Sequence, residues 1–330
     1  MGFGGRYRVK AIVYHEYGPP TVLRCEEIEK PAPGDSEVLL QVRAAALNPY
    51  DWHFMRGEPY AIRLMAGMGK PKNKRLGADV SGVVEAVGRN VTQFKPGDAV
   101  YGLCQGAFGE YVCTAESKLV KKPDGMTFEH AASIPIAGLT ALQSLLDKGK
   151  TQPGQSVLVN GASGGVGTFG VQIAKALGAK VAGVTSTGNV ELVRSIGADD
   201  VIDYTKQDFT KCTQRFDVIL DCVGNHSFSE CCRVLNPKGR IIGAGGKTDN
   251  WMLKPIGRMI TTAVQSLFVS QKQLSIFAKM NQADLLVISE LVASGKVRPV
   301  IDRRCKLDEL PEAMRYLEEG HARGKVVIVI

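Results

Sequence analysis

The chain has little of what defines a membrane protein or a disulfide-rich protein. Its most apolar late stretch, residues 255–269, is interrupted by Arg258, Gln265 and hydroxyl residues, and it is shorter than a bilayer-spanning helix. The eight cysteines include no CxxC pair, and a chain of 330 residues can bury a core without disulfides. We therefore expect a cytoplasmic protein with reduced thiols and no integral membrane segment.

Low-complexity segments, internal repeats and clustered charge are also absent. Charged residues make up 22% of the chain and hydrophobic residues 44%, which is typical of a soluble globular protein. The net charge is +8, but the basic residues are dispersed and are not interleaved with aromatics, so we expect no nucleic-acid partner. The N-terminus lacks the apolar stretch of a signal peptide, which agrees with a cytoplasmic location.

Two patterns of secondary structure divide the chain. Residues 8 to 126 contain short β-like runs separated by Gly and Pro, which predict a barrel or sandwich. From Thr127 onward, strands and helices alternate, which predicts a parallel sheet with helices on its faces. The apolar strand Val326 to Ile330 is expected to return to the first domain. The predicted domains are therefore 1–126 with 297–330, and 127–296.

A glycine-rich loop lies where the alternating part begins, in VLVNGASGGVGTFG, residues 157–170. The strand predicted over 156–160 precedes the loop and the helix predicted over 167–177 follows it. This context is typical of a dinucleotide-binding loop. Gly164 would let the backbone approach a pyrophosphate, and Gly167 would let the helix pack on the strand. The residues predicted to bind cofactor here are Ser163, Gly164, Gly165 and Val166.

The strand after this helix, predicted over 180–184, indicates which dinucleotide binds. An NAD site places an acid at its end, but this strand continues as Thr185-Ser186-Thr187-Gly188-Asn189. Hydroxyl and amide groups can donate to a 2′-phosphate, so Ser186, Thr187 and Asn189 predict NADPH as the cofactor. Arg194, in the helix predicted over 190–196, and Tyr204 would border that phosphate. For Arg194, an exposed helix face is an equally good explanation.

Motifs along nearly the whole chain resemble those of one protein superfamily. They are YGPPTVLRCEE, LNPYDW, GADVSGVVEAVG, FKPGDAVYG, GAFGEYV, AGLTALQSL, NGASGGVG, LGADDVIDY and GHARGKVV. Together they resemble the medium-chain dehydrogenase/reductase superfamily, and more closely its zinc-independent quinone oxidoreductase branch. The resemblance implies an α/β chain with a GroES-like β-rich catalytic domain and a Rossmann domain, which is a doubly wound parallel sheet.

The resemblance also bears on metal binding. Zinc members of the superfamily have Cys where this chain has Asn48, and Gly-His-Glu where it reads Gly77-Ala78-Asp79. Cys104, Cys113, His53 and Asp79 would form a ligand set only by coincidence, so we expect no metal. Without a Lewis acid, alcohol oxidation is disfavoured. Hydride transfer to a quinone or to an α,β-unsaturated carbonyl is then the expected reaction.

Further site residues follow from the resemblance alone. It implies that Asn48 and Thr140 lie near the nicotinamide ring, that Ser270 lies near the carboxamide, and that Lys325 reaches toward the cofactor. It places Val223, Gly224, Gly243 and Gly245 along the ribose and the ring. Thr140 could instead cap a helix, and Lys325 could be a solvated strand end.

The proton donor to the acceptor is less well defined by the sequence. Tyr50, Trp52 and His53 are candidates with Asp51 as an orienting group, and His53 stands where related quinone reductases often have Tyr. Water is the alternative donor. The predicted catalytic residues are Asn48, Tyr50 and His53.

Two further expectations concern assembly and function. Relatives form dimers by extending the Rossmann sheet, so we expect a homodimer that uses the apolar segment Met252 to Phe277. A different class of function stays open, namely a non-catalytic NADPH-binding protein that is crystallin-like or associated with nucleic acid.

Overall fold

The computed structural model describes residues 7–245 and 270–330. The strands, in chain order, are β1 (Arg8–Val13), β2 (Arg24–Glu29), β3 (Glu37–Ala46), β4 (Asp79–Val87), β5 (Ala99–Leu103), β6 (Tyr111–Ala115), β7 (Leu119–Lys121), β8 (Ser156–Asn160), β9 (Lys180–Thr185), β10 (Asp200–Asp203), β11 (Phe216–Asp221), β12 (Leu235–Gly243), β13 (Lys272–Ser275), β14 (Ile301–Lys306) and β15 (Lys325–Val329). The α-helices described are α1 (Pro49–Arg56), α2 (Ala61–Ala66), α3 (Phe128–Ala132), α4 (Pro135–Gln143), α5 (Gly165–Ala176), α6 (Val190–Ser195), α7 (Phe228–Cys232), α8 (Gln282–Ala293) and α9 (Leu310–Glu318).

The chain divides into two units, which draw on different parts of the sequence. The first contains the described parts of Met1–Ile136 together with Met280–Leu286 and Ile301–Ile330. The second contains the described parts of Ala137–Lys279 together with Val287–Val300. The domain boundaries expected from the sequence, after residues 126 and 296, stay a prediction.

The first unit is β-rich, as predicted. Its main sheet has the strand order β14-β15-β3-β4-β5-β7, and β6 pairs with β3 on a separate branch. The pairs are antiparallel except for β14 with β15. The consecutive residues Val38, Leu39 and Leu40 of strand β3 are all buried, so side chains from both of its faces enter cores. This architecture confirms the GroES-like β-rich domain.

The second unit is a parallel sheet, which confirms the Rossmann prediction. The strand order is β10-β9-β8-β11-β12-β13, and every pair is parallel. The chain starts in the middle at β8, builds outward to β10, and then resumes on the other side at β11. Ligands of such sheets bind at the carboxyl ends of the strands, where the order reverses. The loop after β8 lies at that point.

The predicted local elements agree closely with the structure. Strand β8 has the predicted bounds, and β9 extends one residue beyond its predicted end. Helix α5 begins at Gly165, two residues before the predicted start, because Gly164 is its N-cap. The helix predicted over 190–196 is α6.

The C-terminal strand returns to the β-rich unit, as expected. Strand β15 pairs antiparallel with β3, with Val327 opposite Ala46. This pairing places the GHARGKVV motif beside the LNPYDW motif, and so brings Lys325 to the start of α1. Of the segment expected to form a dimer contact, residues 252–269 lie outside the described residues. Among the helices that are described, none combines the length and apolarity needed to cross a bilayer.

Candidate functional site

A buried polar cluster lies in the first unit, where α1 begins. Asn48 is the N-cap of α1, Asp79 is the first residue of β4, and Lys325 is the first residue of β15. All three are at most 3% exposed. They meet because β4 and β15 both pair with the end of β3, so that Asp79 and Val327 each lie opposite Ala46.

Hydrogen bonds connect the three side chains. The Lys325 ammonium donates to Leu47 O at 3.0 Å, to Asn48 Oδ1 at 2.5 Å and to Asp79 Oδ2 at 3.3 Å. The Asn48 amide donates to Asp79 Oδ2 at 2.9 Å and to Ala46 O at 3.2 Å. Burial raises the pKa of Asp79, while the Lys325 ammonium and the Asn48 amide oppose that rise. The buried charges are therefore paired and hydrogen-bonded, as burial requires.

The geometry gives Lys325 three partners within the protein, and its predicted contact with the cofactor stays a prediction. An ammonium group has three protons, and here three protein acceptors take them. The side chain is buried rather than solvated, so the alternative of a solvated strand end is wrong. The contact between the Lys325 ammonium and Asn48 Oδ1 would fit a role for Lys325 in orienting the Asn48 amide. Both polar atoms of the Asn48 side chain likewise have hydrogen-bond partners within the protein.

A second buried carboxylate supports the start of α1. Asp51 accepts the backbone N–H of Asn48 at 2.8 Å and that of Gly77 at 3.1 Å. Burial raises the pKa of Asp51 to about 7, although these backbone hydrogen bonds oppose the rise. Asp51 was expected to orient a proton donor. The structure instead gives it backbone partners, so it fixes the entry of the chain into the helix.

The two predicted donors on α1 differ in their environment. The His53 Nδ1 lies 2.7 Å from Glu58 O, and a carbonyl only accepts, so Nδ1 carries the proton. Burial lowers the pKa of His53, which keeps the ring neutral and leaves Nε2 as an acceptor. A donor role for His53 therefore does not fit this geometry. Tyr50 is 43% exposed and burial raises its pKa, so its phenol keeps a proton that it can donate.

In the second unit, the glycine loop joins β8 to α5. Helix α5 has Gly164 as its N-cap and no side-chain cap, so the N–H groups of its first turn, which includes Gly165 and Val166, are left for a ligand. A Cβ on Gly167 would lie 2.0 Å from Gly161 O, which confirms that Gly167 is needed for close packing. A Cβ on Gly164 would have only Gly161 O near it, at 3.5 Å. That side of the loop is open, which fits a pyrophosphate.

A polar cluster lies at the carboxyl end of β9, beside this loop. Ser163 Oγ accepts from Thr185 Oγ1 at 2.8 Å and from Asn189 Nδ2 at 3.3 Å. Asn189 Nδ2 also lies 3.2 Å from Ser186 Oγ. Because Ser163 accepts twice, its own proton is left to donate elsewhere. Asn189 Oδ1 is buried without a partner, and such an orphaned acceptor fits a ligand hydroxyl such as that of a ribose.

The structure adds a carboxylate that sequence reasoning missed. Thr187 donates its hydroxyl to Asp203 Oδ2 at 2.6 Å, and Thr205 donates to Asp203 Oδ1 from its backbone at 3.0 Å and its hydroxyl at 2.8 Å. The bond from Thr187, with the others, lowers the pKa of Asp203 to about 2. The parallel pairing of β10 with β9 brings this acid to the end of β9. The sequence signal was the Asp in VIDY, which belongs to the next strand.

The two residues predicted to border the adenosine phosphate lie near this acid in the sequence. Tyr204 directly follows Asp203 and is 58% exposed. Arg194 is on α6, where its Nη1 lies 2.9 Å from Glu191 Oε1 in an exposed pair. In the structure Arg194 therefore lies on an exposed face of α6, which is the alternative to a phosphate contact that the sequence left open.

Other predicted cofactor residues lie at the same edge of the sheet. Asp221, at the end of β11, accepts the backbone N–H groups of Val223 at 3.1 Å and Gly224 at 2.9 Å. Val223 borders the glycine loop, because a Cβ on Gly161 would lie 2.8 Å from its Cγ2. Gly243 ends β12 at this edge.

Two further predicted cofactor residues are described in the second unit. Thr140 is buried in α4. Ser270 precedes β13 by two residues, and its hydroxyl accepts the backbone N–H of Lys238 at 3.2 Å. It lies five residues before Ser275, which pairs with Gly243, and so it is at the amino end of the strands. The structure does not bring Ser270 to the other predicted cofactor residues, and we leave it out of the site.

The four residues considered as a zinc set do not form one. Across residues 7–245 and 270–330, no three His, Cys, Asp or Glu side chains are grouped so that they could hold a metal ion. Asp79 is paired with Lys325, and the His53 ring is bonded to a carbonyl. Burial raises the pKa of the Cys104 and Cys113 thiols, which opposes the thiolate that a metal needs.

Known families match both parts of the chain. The model of the alcohol dehydrogenase GroES-like domain matches residues 34–124, and the model of the zinc-binding dehydrogenase matches residues 196–328. A mitochondrial NAD(P)H oxidoreductase of Mus musculus is 34% identical, over 96% of this chain and 88% of that protein. The 2-methylene-furan-3-one reductase of Solanum lycopersicum is 34% identical, over 97% of this chain and 79% of that protein.

Solved structures are similar over the full length. The quinone oxidoreductase from Coxiella burnetii superposes with a TM-score of 0.86 at 31% sequence identity. The match covers 98% of this chain and 100% of that one.

Proposed function

Because the chain belongs to the quinone oxidoreductase branch of the medium-chain dehydrogenase/reductase superfamily, it is a nicotinamide-dependent oxidoreductase, and we propose that it reduces a quinone or an α,β-unsaturated carbonyl with NADPH and without a metal. One observation carries the proposal. The uncapped N-terminus of α5 follows a glycine loop at the reversal point of a parallel sheet. The nicotinamide, when bound, supplies the hydride.

Residues of the second unit would hold the cofactor. The N–H groups at the start of α5 and the free proton of Ser163 would bind the pyrophosphate. Ser186 and Asn189 would face the adenosine ribose. The names of the two relatives above, an NAD(P)H oxidoreductase and a reductase, support a catalytic role over the non-catalytic alternative.

The preference for NADPH depends on the balance of charge near Thr187. The carboxylate of Asp203 would repel a 2′-phosphate. Its charge is offset by three donated hydrogen bonds and by Lys206, whose Nζ lies 3.4 Å away. Tyr204, exposed beside it, adds a phenol that can donate to the phosphate. The offset of the Asp203 charge and the phenol of Tyr204 together support NADPH as the proposed cofactor.

The chemistry of the first unit supports a reaction without a metal. The Lys325 ammonium lies 3.3 Å from the Asp79 carboxylate, and a divalent cation there would face an existing positive charge. Among the residues that the structure describes, no evident group would deprotonate an unactivated alcohol, since Asp79 is paired and Nε2 of His53 belongs to a ring whose pKa is lowered by burial. A polarised acceptor needs only orientation and a proton, for which Tyr50 and solvent water are the proposed sources.

A panel of acceptors tests the proposal. The purified protein should oxidise NADPH in the presence of small quinones or conjugated enones, and should not reduce NADP⁺ with ethanol or secondary alcohols. Elemental analysis of protein prepared without chelators should find well under one zinc per chain. Turnover of alcohols with stoichiometric zinc would contradict the proposal. Tight NADPH binding without turnover of any acceptor would favour the non-catalytic alternative.

Three further points are part of the proposal. We infer a cytoplasmic homodimer that acts on a small molecule rather than on nucleic acid. The proposed catalytic domain is 1–126 with 297–330, and the proposed cofactor domain is 127–296. The dispersed positive charge of the chain supports the absence of a nucleic-acid partner.

A further inference from the structure

One surface segment of the first unit combines exposed apolar side chains with unpaired positive charge. The segment runs from Tyr60 to Lys74 and comprises α2 and the loop after it. Tyr60, Leu64, Met65 and Met68 are 52%, 70%, 79% and 70% exposed. Large apolar side chains that are grouped and exposed in this way mark an interaction surface.

The charge of this segment has one sign. Residues 59–76 include five basic residues and no acidic residue. The guanidinium groups of two of these residues donate hydrogen bonds to backbone carbonyls. Arg63 donates to Gly57 O and Arg56 O. Arg75 donates to Gly106 O and Tyr111 O. These two arginines hold the segment in place.

The three lysines of the segment differ from these arginines. Lys70, Lys72 and Lys74 are exposed, and no ion pair of theirs is found among the described residues. Lys72 and Lys74 also border a groove that contains Glu26, but that carboxylate is paired with His15 at 3.0 Å. The lysine charges are therefore available to an external anion.

The backbone fixes the apolar residues and the lysines beside each other. The N–H of Lys72 donates to Ala66 O at 2.7 Å, so the loop folds back on the end of α2. Tyr17 Oη donates to Gly67 O at 2.7 Å, which fixes the turn that follows α2. Lys74 O accepts from Tyr14 N at 2.9 Å, which ties the other end of the loop to the residue after β1. The surface is thus preformed.

We propose that the segment Tyr60–Lys74 docks the protein on the surface of an anionic phospholipid bilayer. A bilayer interface accepts leucine and methionine among the acyl chains, and it accepts tyrosine and lysine at the headgroups. A soluble polyanion would leave the exposed leucine and methionines in water. A second copy of this chain would bring the same positive charges into contact. The proposal does not depend on the acceptor or on the cofactor.

Sedimentation with vesicles tests the proposal on the full chain. The protein should pellet with vesicles of phosphatidylcholine and phosphatidylserine, and much less with phosphatidylcholine alone. Raising the salt from about 0.1 M to about 1 M should weaken binding, because the screening length falls from about 10 Å to about 3 Å. Equal pelleting with both vesicle types, or none with either, would overturn the proposal.

Charge and apolar contact are separated by matched variants. Lys70→Gln, Lys72→Gln and Lys74→Gln together should weaken binding on the order of 100-fold, since each lysine near an anionic surface contributes about fivefold. The control combines Lys148→Gln, Lys150→Gln and Lys180→Gln, which removes equal charge from exposed positions in the second unit and should leave binding unchanged. Equal losses in both triple variants would show a general charge effect and overturn the proposal.

The apolar contribution has its own pair of variants. Leu64→Glu should weaken binding at least about tenfold. Leu286→Glu, at a leucine that is 48% exposed on α8, should leave binding unchanged. Oxidation of NADPH by a water-soluble quinone should be the same in all of these variants. If Leu64→Glu lowers that turnover or dissociates an oligomer while vesicle binding is unchanged, the patch serves the acceptor or a second copy and the proposal fails.

Discussion

At the scale of single residues, the first unit contains a buried ion pair between Lys325 and Asp79. Lys325 and Asp79 are 4% and 0% exposed in their side chains and are joined at 3.3 Å, with Asn48 bonded to both. Desolvation makes such a pair costly to form, but removal of one partner costs more, because the other charge stays buried alone. Loss of any one charged side chain of the cluster should therefore destabilise the fold.

Lys325→Met should destabilise the protein by about 3–5 kcal/mol, because it leaves the Asp79 carboxylate unpaired. Adding Asp79→Asn should restore much of that loss. Urea unfolding of the two single variants and the double variant measures the coupling. Lys175→Met is the control, since its pair with Asp199 is partly exposed and should contribute less than about 1 kcal/mol. Additive losses in the double variant would contradict this account.

Asp51 should make stability depend on pH in a defined window. Burial raises its pKa from the ordinary 3.8 to about 7, so between these values the native state binds a proton that the unfolded chain does not. The contribution of protonated Asp51 to the free energy of unfolding is fully present below its pKa in the unfolded chain. It is lost as the pH rises through its pKa in the native state. Relative to Asp51→Asn, the wild type should lose up to about 1.4 kcal/mol per pH unit in this window. Parallel curves of unfolding free energy against pH for the two proteins would refute the assignment.

At the scale of elements, two glycines of one loop have separable roles. Gly164→Val should weaken NADPH binding by at least about 100-fold, because the side chain would block two or more backbone donors, while the melting temperature stays unchanged. Gly167→Ala should instead destabilise the fold by about 1–3 kcal/mol, because its Cβ would lie 2.0 Å from Gly161 O. Fluorescence titration with NADPH and thermal melting distinguish the two effects. A Gly164→Val protein that binds NADPH normally would remove the loop from the site.

The end of β9 should set the coenzyme preference together with its neighbour β10. Thr187→Asp should lower the affinity for NADPH relative to NADH by about fivefold or more, since a nearby carboxylate repels the 2′-phosphate. Asp203→Asn should shift the ratio toward NADPH by a similar factor. Thr187→Ser, which keeps the hydroxyl bonded to Asp203, is the control. Titrations at fixed salt measure the ratios, and equal binding of NADH and NADPH by the wild type would count against the preference.

At the scale of the whole molecule, the edge of the parallel sheet bears on assembly. Among the described residues, β13 is an edge strand of the parallel sheet, and it pairs only with β12. An unpaired edge is completed when two copies join across a two-fold axis. Light scattering at micromolar concentration should give about twice the chain mass of 35.5 kDa. A mass of one chain at every concentration would reject the homodimer.

The sequence by itself determined the elements that depend on local pattern. The bounds of β8 and the start of α6 could be predicted, and the end of α6 to within one residue, because apolar periodicity and flanking glycines act within a few residues. The glycine loop between β8 and α5 was recognisable for the same reason, since spacing and context define it. The β-rich first part and the parallel second part followed from how these elements alternate.

Only the tertiary structure decided which distant side chains meet. Lys325 and Asn48 are 277 residues apart in the chain, and the pairing of β15 with β3 joins them. Asp203 reaches Thr187 because β10 lies parallel to β9, although the sequence of β9 itself ends without an acid. The register of remote strands, and the burial that it imposes, is not written in any short segment. It therefore decided the partners of Lys325 and the acid beside Thr187.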